Sequence, residues 1–145
     1  MTTHTSRYIS SIVLLAVGFA FGMLAEKSSV NAQAANRVFE LRTYTAPEGK
    51  LGELQARFRN HTIRIFNKHN MTSIGYWVPQ DAPNHDNTLT YLIAHKSRED
   101  AKANWAAFGA DPEWQKVNTE SQVNGKIVAK VESVFLDPTD FSPIK

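Results

Sequence analysis

From Val38 onward the spacing of apolar positions changes period several times, and each change predicts an element. Val38–Thr45 alternates with period two. Phe39, Leu41 and Thr43 fall on one side and Glu40, Arg42 and Tyr44 on the other, which predicts a strand with two unlike faces. Thr45, Ala46, Pro47 and Glu48 have the form of a capping box, so a helix is expected to start there. Leu51, Leu54, Phe58, His61 and Ile65 then recur at helical spacing as one buried stripe, widened by Ile63 and Phe66. Asn70, after Lys68 and His69, suits the left-handed residue that ends a helix. Residues 71–78 read as a second strand stopped by Pro79, residues 79–87 as a polar loop, and Thr88–His95 as a third strand. Ser97 opens a second helix that is expected to run to about Ala107 and end at Gly109. Asp111 followed by Pro112 gives an N-cap with proline at N1 and predicts a short third helix. Residues 126–136 read as a fourth strand, and residues 137–145, with Pro138 and Pro143, as an exposed tail.

The resulting order is β-α-β-β-α-α-β. Apart from the extra short helix before the last strand, this is the βαββαβ order of a ferredoxin-like α+β fold. Its four antiparallel strands would carry helices on one face. The other face holds apolar residues from strands two and four, and a second copy of the sheet would cover it.

The first third of the chain has a different character. Arg7 precedes an apolar run over residues 9–25, and Ala32-Gln33-Ala34 follows a polar spacer. A basic start, an apolar stretch and a small-residue site predict a signal peptide over residues 1–34, cleaved after Ala34. Residues 35–145 would then form the mature domain, exported to the periplasm or the extracellular space. An uncleaved membrane anchor is the alternative. The formal net charge of +2 makes no electrostatic case for nucleic acid or an anionic membrane as partner. There is no cysteine, which excludes thiol nucleophiles, iron–sulfur clusters and Cys-ligated zinc. An exported domain without disulfides depends on core packing, and a second subunit would add burial.

Three groups of residues are candidates for chemistry. His61, on the apolar stripe between Phe58 and Ile65, has the side chain of a base or a ligand-anchoring donor; a structural, partly buried histidine is the competing reading. Glu40, Arg42 and Tyr44 stand side by side on one strand face and would grip a small polar ligand, or else form an internal ion pair that Lys130 and Glu132 of the fourth strand extend. Trp77, Trp105 and Trp114, with Tyr76, Tyr91 and Phe108, suffice to wall a pocket for a flat or apolar ligand, or serve simply as core. His69, His85 and His95 lack the spacing of a zinc site, and the polar loop around His85 reads as solvated. No phosphate loop, dinucleotide fingerprint or nucleophile elbow is present, so neither metal nor cofactor is expected.

Five segments in register carry a resemblance: Phe39-Glu40-Leu41-Arg42-Thr43-Tyr44, Gly49-Lys50-Leu51, Asn60-His61-Thr62, Gly75-Tyr76-Trp77-Val78 and Asp111-Pro112-Glu113-Trp114. Together they resemble the NIPSNAP family over most of residues 38–135. The resemblance implies a dimeric α+β barrel in which two sheets pack face to face, hence a homodimer; it does not imply a reaction. Asn70 stands where family members often carry glycine, a substitution that the left-handed conformation tolerates. The export signal is a second departure, since the best-known members are intracellular. The favoured function is an exported homodimer that binds a small aromatic or apolar ligand. One alternative is a cofactor-independent monooxygenase-like enzyme, with His61 as base, Arg42 as anion anchor and Trp77 as wall, an analogy of fold alone. The other is a structural partner of another exported protein.

Overall fold

The computed structural model describes residues 37–145. The expected signal segment, residues 1–34, lies outside the described residues. Among them no helix is long and apolar enough to cross a membrane.

The first strand, β1 (Val38–Thr45), pairs antiparallel with both β3 (Thr88–His95) and β4 (Lys130–Leu136), and β3 pairs antiparallel with β2 (Thr72–Trp77). The sheet order β2-β3-β1-β4 is that of the ferredoxin-like fold. Register decides the faces. Arg42 stands opposite Tyr91 and Ser133, and Glu40 opposite Ile93 and Phe135, so these side chains share one face, the face the helices cover.

The first helix does not begin at the expected capping box. Thr45 stays in β1, where its carbonyl accepts from Ala129, and Ala46 donates to the carbonyl of Asn87. With those backbone groups engaged by the sheet, the chain turns through Gly49 (φ 70°), and α1 (Leu51–Arg57) starts after Lys50 without a side-chain cap. A π-helical turn, Phe58–Thr62, separates α1 from α2 (Ile63–Lys68). Its wider turn fits in more residues than an α-turn and shifts the phase of everything after it. The buried positions become Leu54, Arg57, Phe58, Thr62, Ile65 and Phe66, while His61 is exposed. The expectation that His61 sits on the buried stripe is thereby corrected. Asn70 closes α2 with φ 58°, as the sequence predicts.

Ser97 caps α3 (Arg98–Ala110), its hydroxyl accepting from the Asp100 amide. Gly109 lies within this helix rather than ending it, and Asp111 terminates it while capping α4 (Pro112–Glu120). The fourth strand is shorter than expected and begins at Lys130; the preceding segment buries Ile127 completely.

The core lies between the helices and the covered sheet face. Phe58 is its hub, with ring centroids 5.1 Å from Tyr91, 5.8 Å from Tyr44, 5.8 Å from Tyr76 and 6.1 Å from Phe66. Fully burying each large apolar side chain contributes about 1.5–3 kcal/mol, and edge-to-face ring contacts add to it. The opposite sheet face carries Phe39, Leu41 and Leu92, with Trp77 and Val134 more than half exposed at 52% and 54%. The tail is exposed, as expected, and it also forms one side of a cleft over the sheet. Pro138, Thr139, Ser142 and Ile144 lie against Phe39, Leu92 and Leu136, and Arg37 Nη1 donates to the Lys145 carbonyl at 3.0 Å.

Candidate functional site

Four elements meet at Glu40, which is 1% exposed. Its Oε1 accepts from Arg42 Nη1 and from Ser133 Oγ, each at 2.6 Å. Its Oε2 accepts from Trp105 Nε1 at 2.6 Å and His95 Nε2 at 3.1 Å. Burial alone would raise the carboxyl pKa, but the bonds from His95, Ser133, Trp105 and Arg42 outweigh it and bring the value down to about 2. An ionised Glu40 only accepts, so His95 directs an Nε2 proton at it, which leaves His95 Nδ1 buried without a partner.

Arg42 is held as firmly. Its guanidinium lies 4.2 Å over the Trp105 ring, and Nη2 donates to Tyr44 Oη at 3.4 Å. Burial would lower its pKa, yet Tyr44, Tyr91 and Glu40 raise it above the usual arginine value. Glu40, Arg42, Tyr44 and Trp105, proposed from sequence as pocket candidates, are thus brought together, but they bind one another inside the helix–sheet interface. His95 and Ser133 were missed as members of this group. Only the strand register puts them on the Glu40 face, and His95 is 55 residues away in the chain.

Among the described residues, two of the open clefts outside this layer hold residues proposed from the sequence. The first, of about 280 Å3, runs between the α1–π-turn segment, the end of β2 and the start of β3, with Phe58, Ile63, Tyr76, Trp77, Val78 and Leu89 as walls and Gln55 and Arg59 as its polar residues. Tyr76 stacks on Tyr91 at 5.5 Å, and its hydroxyl bonds Ser73 Oγ at 2.6 Å. Burial pushes the Tyr76 phenol up, against the opposing effect of the Ser73 bond. Trp77 lies over Gly75, where an added Cβ would meet the indole at 2.5 Å. The absence of a side chain at Gly75 therefore sets the position of this wall. Tyr76 and Trp77, adjacent candidates from the sequence, do share this cleft.

The second cleft, of about 370 Å3, lies between the α1–π-turn segment and α4, where His61 forms part of the lining together with Arg57, Asn60, Glu53, Glu120 and Ser121. Arg57 went unnoticed in the sequence because an arginine on a helix ordinarily points to water. It is 5% exposed, and its guanidinium lies 5.1 Å from the centre of the Trp114 ring. Trp114 itself packs on Phe108 at 4.3 Å.

The remaining charged cluster is a seam. Asp111 Oδ2 bonds Lys68 Nζ and His69 Nε2, each at 2.7 Å, and Arg64 pairs with Glu113. The Lys68 and His69 contacts hold the Asp111 carboxyl below its ordinary range. Among the described residues no three histidine or acidic side chains converge as a metal site would require.

Fold and register define a ferredoxin-like α+β domain of the class that builds dimeric α+β barrels. The NIPSNAP family model matches residues 39–143, and the chain belongs to the NIPSNAP family. It is similar to an uncharacterized NIPSNAP-like domain protein from Burkholderia xenovorans, at 24% identity and a TM-score of 0.66 over 75% of this chain and 90% of that one. It is also similar to a NIPSNAP family protein from Agrobacterium tumefaciens, at 25% identity and a TM-score of 0.67 over 76% of this chain and 100% of that one. SnoaB, a cofactor-independent oxygenase from Streptomyces nogalater, shares the fold at 13% identity and a TM-score of 0.51, over 75% of this chain and 99% of that one. No curated protein matches the chain.

Proposed function

We propose that this chain is an exported, homodimeric NIPSNAP domain that binds a small aromatic or apolar molecule in the Tyr76–Trp77 cleft. The observation that carries the reading is the lining of that cleft: six apolar or aromatic walls with Gln55 and Arg59 to orient a polar end. Concave sites with mostly apolar walls and a few polar groups suit small ligands. The dimer is supported by the sheet face that no helix covers, with Val134 and Leu136 among its exposed residues. Export is supported by the pattern of residues 1–34 alone.

The oxygenase-like alternative needs a base and an anion anchor in one cavity. His61 is exposed on a surface cleft, and Arg42 is bonded to Glu40 in the interior. A role as structural partner of another exported protein would leave the Tyr76–Trp77 cleft without a ligand.

The test is calorimetric titration of the full chain with indole, 1-naphthol and a medium-chain alcohol. Binding of at least one, weakened about tenfold or more by Trp77→Ala, is the expected result. No binding of any flat or apolar probe overturns the reading.

A further inference from the structure

We propose that the cleft between α1 and α4 is a second binding site, for a small carboxylate, with Arg57 as its anchor. This site does not depend on the aromatic cleft and is argued from different residues.

A guanidinium removed from water is normally met by a counter-charge or a full set of acceptors. Arg57 is 5% exposed, yet among the described residues it pairs with no carboxylate. Its bond to protein is from Nη1 to the neutral Asn118 Oδ1 at 3.2 Å, and buried Nε has no partner. Nε and the neighbouring Nη2 form the edge of the fork that receives the two oxygens of a carboxylate side by side. Burial lowers the Arg57 pKa, an effect that a bound anion would reverse.

The acidic residues of the cleft do not supply that counter-charge. Glu53 bonds Lys50 at 2.7 Å, and Glu120 lies 3.9 Å from Lys116. His61, Asn60 and Ser121 add hydrogen-bonding groups that would favour a ligand with polar substituents beyond its carboxylate. A cleft of about 370 Å3 falls within the size range of small-molecule sites.

The experiment uses the purified full chain, 15N-labelled, with succinate, malate and benzoate as probes and succinamide and benzamide as their neutral counterparts. Arg57 Nε–H is assigned by its loss in Arg57→Lys, and affinities are taken from titration. At least one carboxylate is expected to shift the Arg57 Nε–H resonance and to bind about tenfold or more tightly than its amide. Arg57→Lys, which keeps the charge but loses the fork, should weaken that carboxylate about tenfold, while Trp77→Ala leaves it unchanged. An amide that binds as well as its acid overturns the proposal, and so does a set of carboxylates that leaves the Nε–H resonance unmoved. Both results come from the unmutated chain and leave the reading of the aromatic cleft standing.

Discussion

Arg42 and Arg57 approach the same helix–sheet interface from opposite sides, one from β1 and one from α1, and both carry the electrostatic influence of Tyr44 and Tyr91. Arg42 meets a carboxylate at 2.6 Å, a phenol at 3.4 Å and an indole face at 4.2 Å, and its charge is reinforced. Arg57 meets one amide oxygen and an indole, and burial weakens its charge. The chain supplies a counter-charge for the first and none among the described residues for the second. Nε is buried without a partner in both, so the difference lies in the counter-charge: a buried cation that has its carboxylate belongs to the architecture. One that is left short is a cost that a ligand can offset.

The comparison breaks most visibly at Glu40. Glu40→Leu removes the acceptor of four side chains and strands Arg42, so urea denaturation should show a loss of about 3–5 kcal/mol. Arg57→Met should leave stability within about 1 kcal/mol of wild type or raise it, because an under-bonded cation is exchanged for an apolar chain of similar length. If both substitutions cost the same, the two arginines are not doing different jobs.

The pH dependence sharpens the same contrast with a smaller effect. Folding depresses the Glu40 pKa from 4.5 to about 2, so the folded state resists protonation that the unfolded state accepts. The stabilisation is complete above the unfolded value and is lost as pH falls from about 4.5 through about 2. Urea midpoints for wild type should decline across that window. Glu40→Gln should start less stable and lose this part of the slope. An unchanged slope in Glu40→Gln would mean that other carboxylates carry the acid sensitivity.

A third effect is local. Asn70 holds φ 58° at the end of α2, a conformation for which Ala has no side-chain hydrogen bond to compensate. Asn70→Ala should cost about 1 kcal/mol and Asn70→Gly little or nothing, both read from thermal melts.

Legibility divides along the same line between local and long-range causes. The Asn70 turn, the Ser97 and Asp111 caps and the bounds of β3 follow from residues within one turn of each other, and each stands where the sequence predicts it. The pairing of Glu40 with Arg42 was equally readable, being two residues apart on one strand. What escaped was set at a distance. His95 and Ser133 reach Glu40 only through strand register, and Thr45 forgoes its cap because Thr88 and Lys130 engage it in the sheet. The π-turn moved His61 outward, a phase change that helical spacing alone does not reveal, while Arg57, just before that turn, is buried against Trp114 of a helix distant in sequence. The two clefts were therefore only half visible: Tyr76 and Trp77 as neighbours in sequence, Arg57 not at all.

The smallest expected effect on stability makes the finest test of how the clefts differ. A Cβ at position 75 would sit 2.5 Å and 2.6 Å from two atoms of the Trp77 ring. The indole is 52% exposed, so it can swing into solvent instead of forcing the backbone of β2 to move. Gly75→Ala should then cost less than about 1 kcal/mol, since the clash is relieved by rotating one surface side chain. The indole would nevertheless leave the cleft wall. Its emission should move to longer wavelength against the background of Trp105 and Trp114, and indole or naphthol binding should fall to the level of Trp77→Ala. Carboxylate binding at Arg57 should not change, because neither residue lines that cleft. A Gly75→Ala domain that keeps its emission and its aromatic ligand would show that the cleft tolerates the shift, and Trp77 would lose its place as a wall that selects flat molecules.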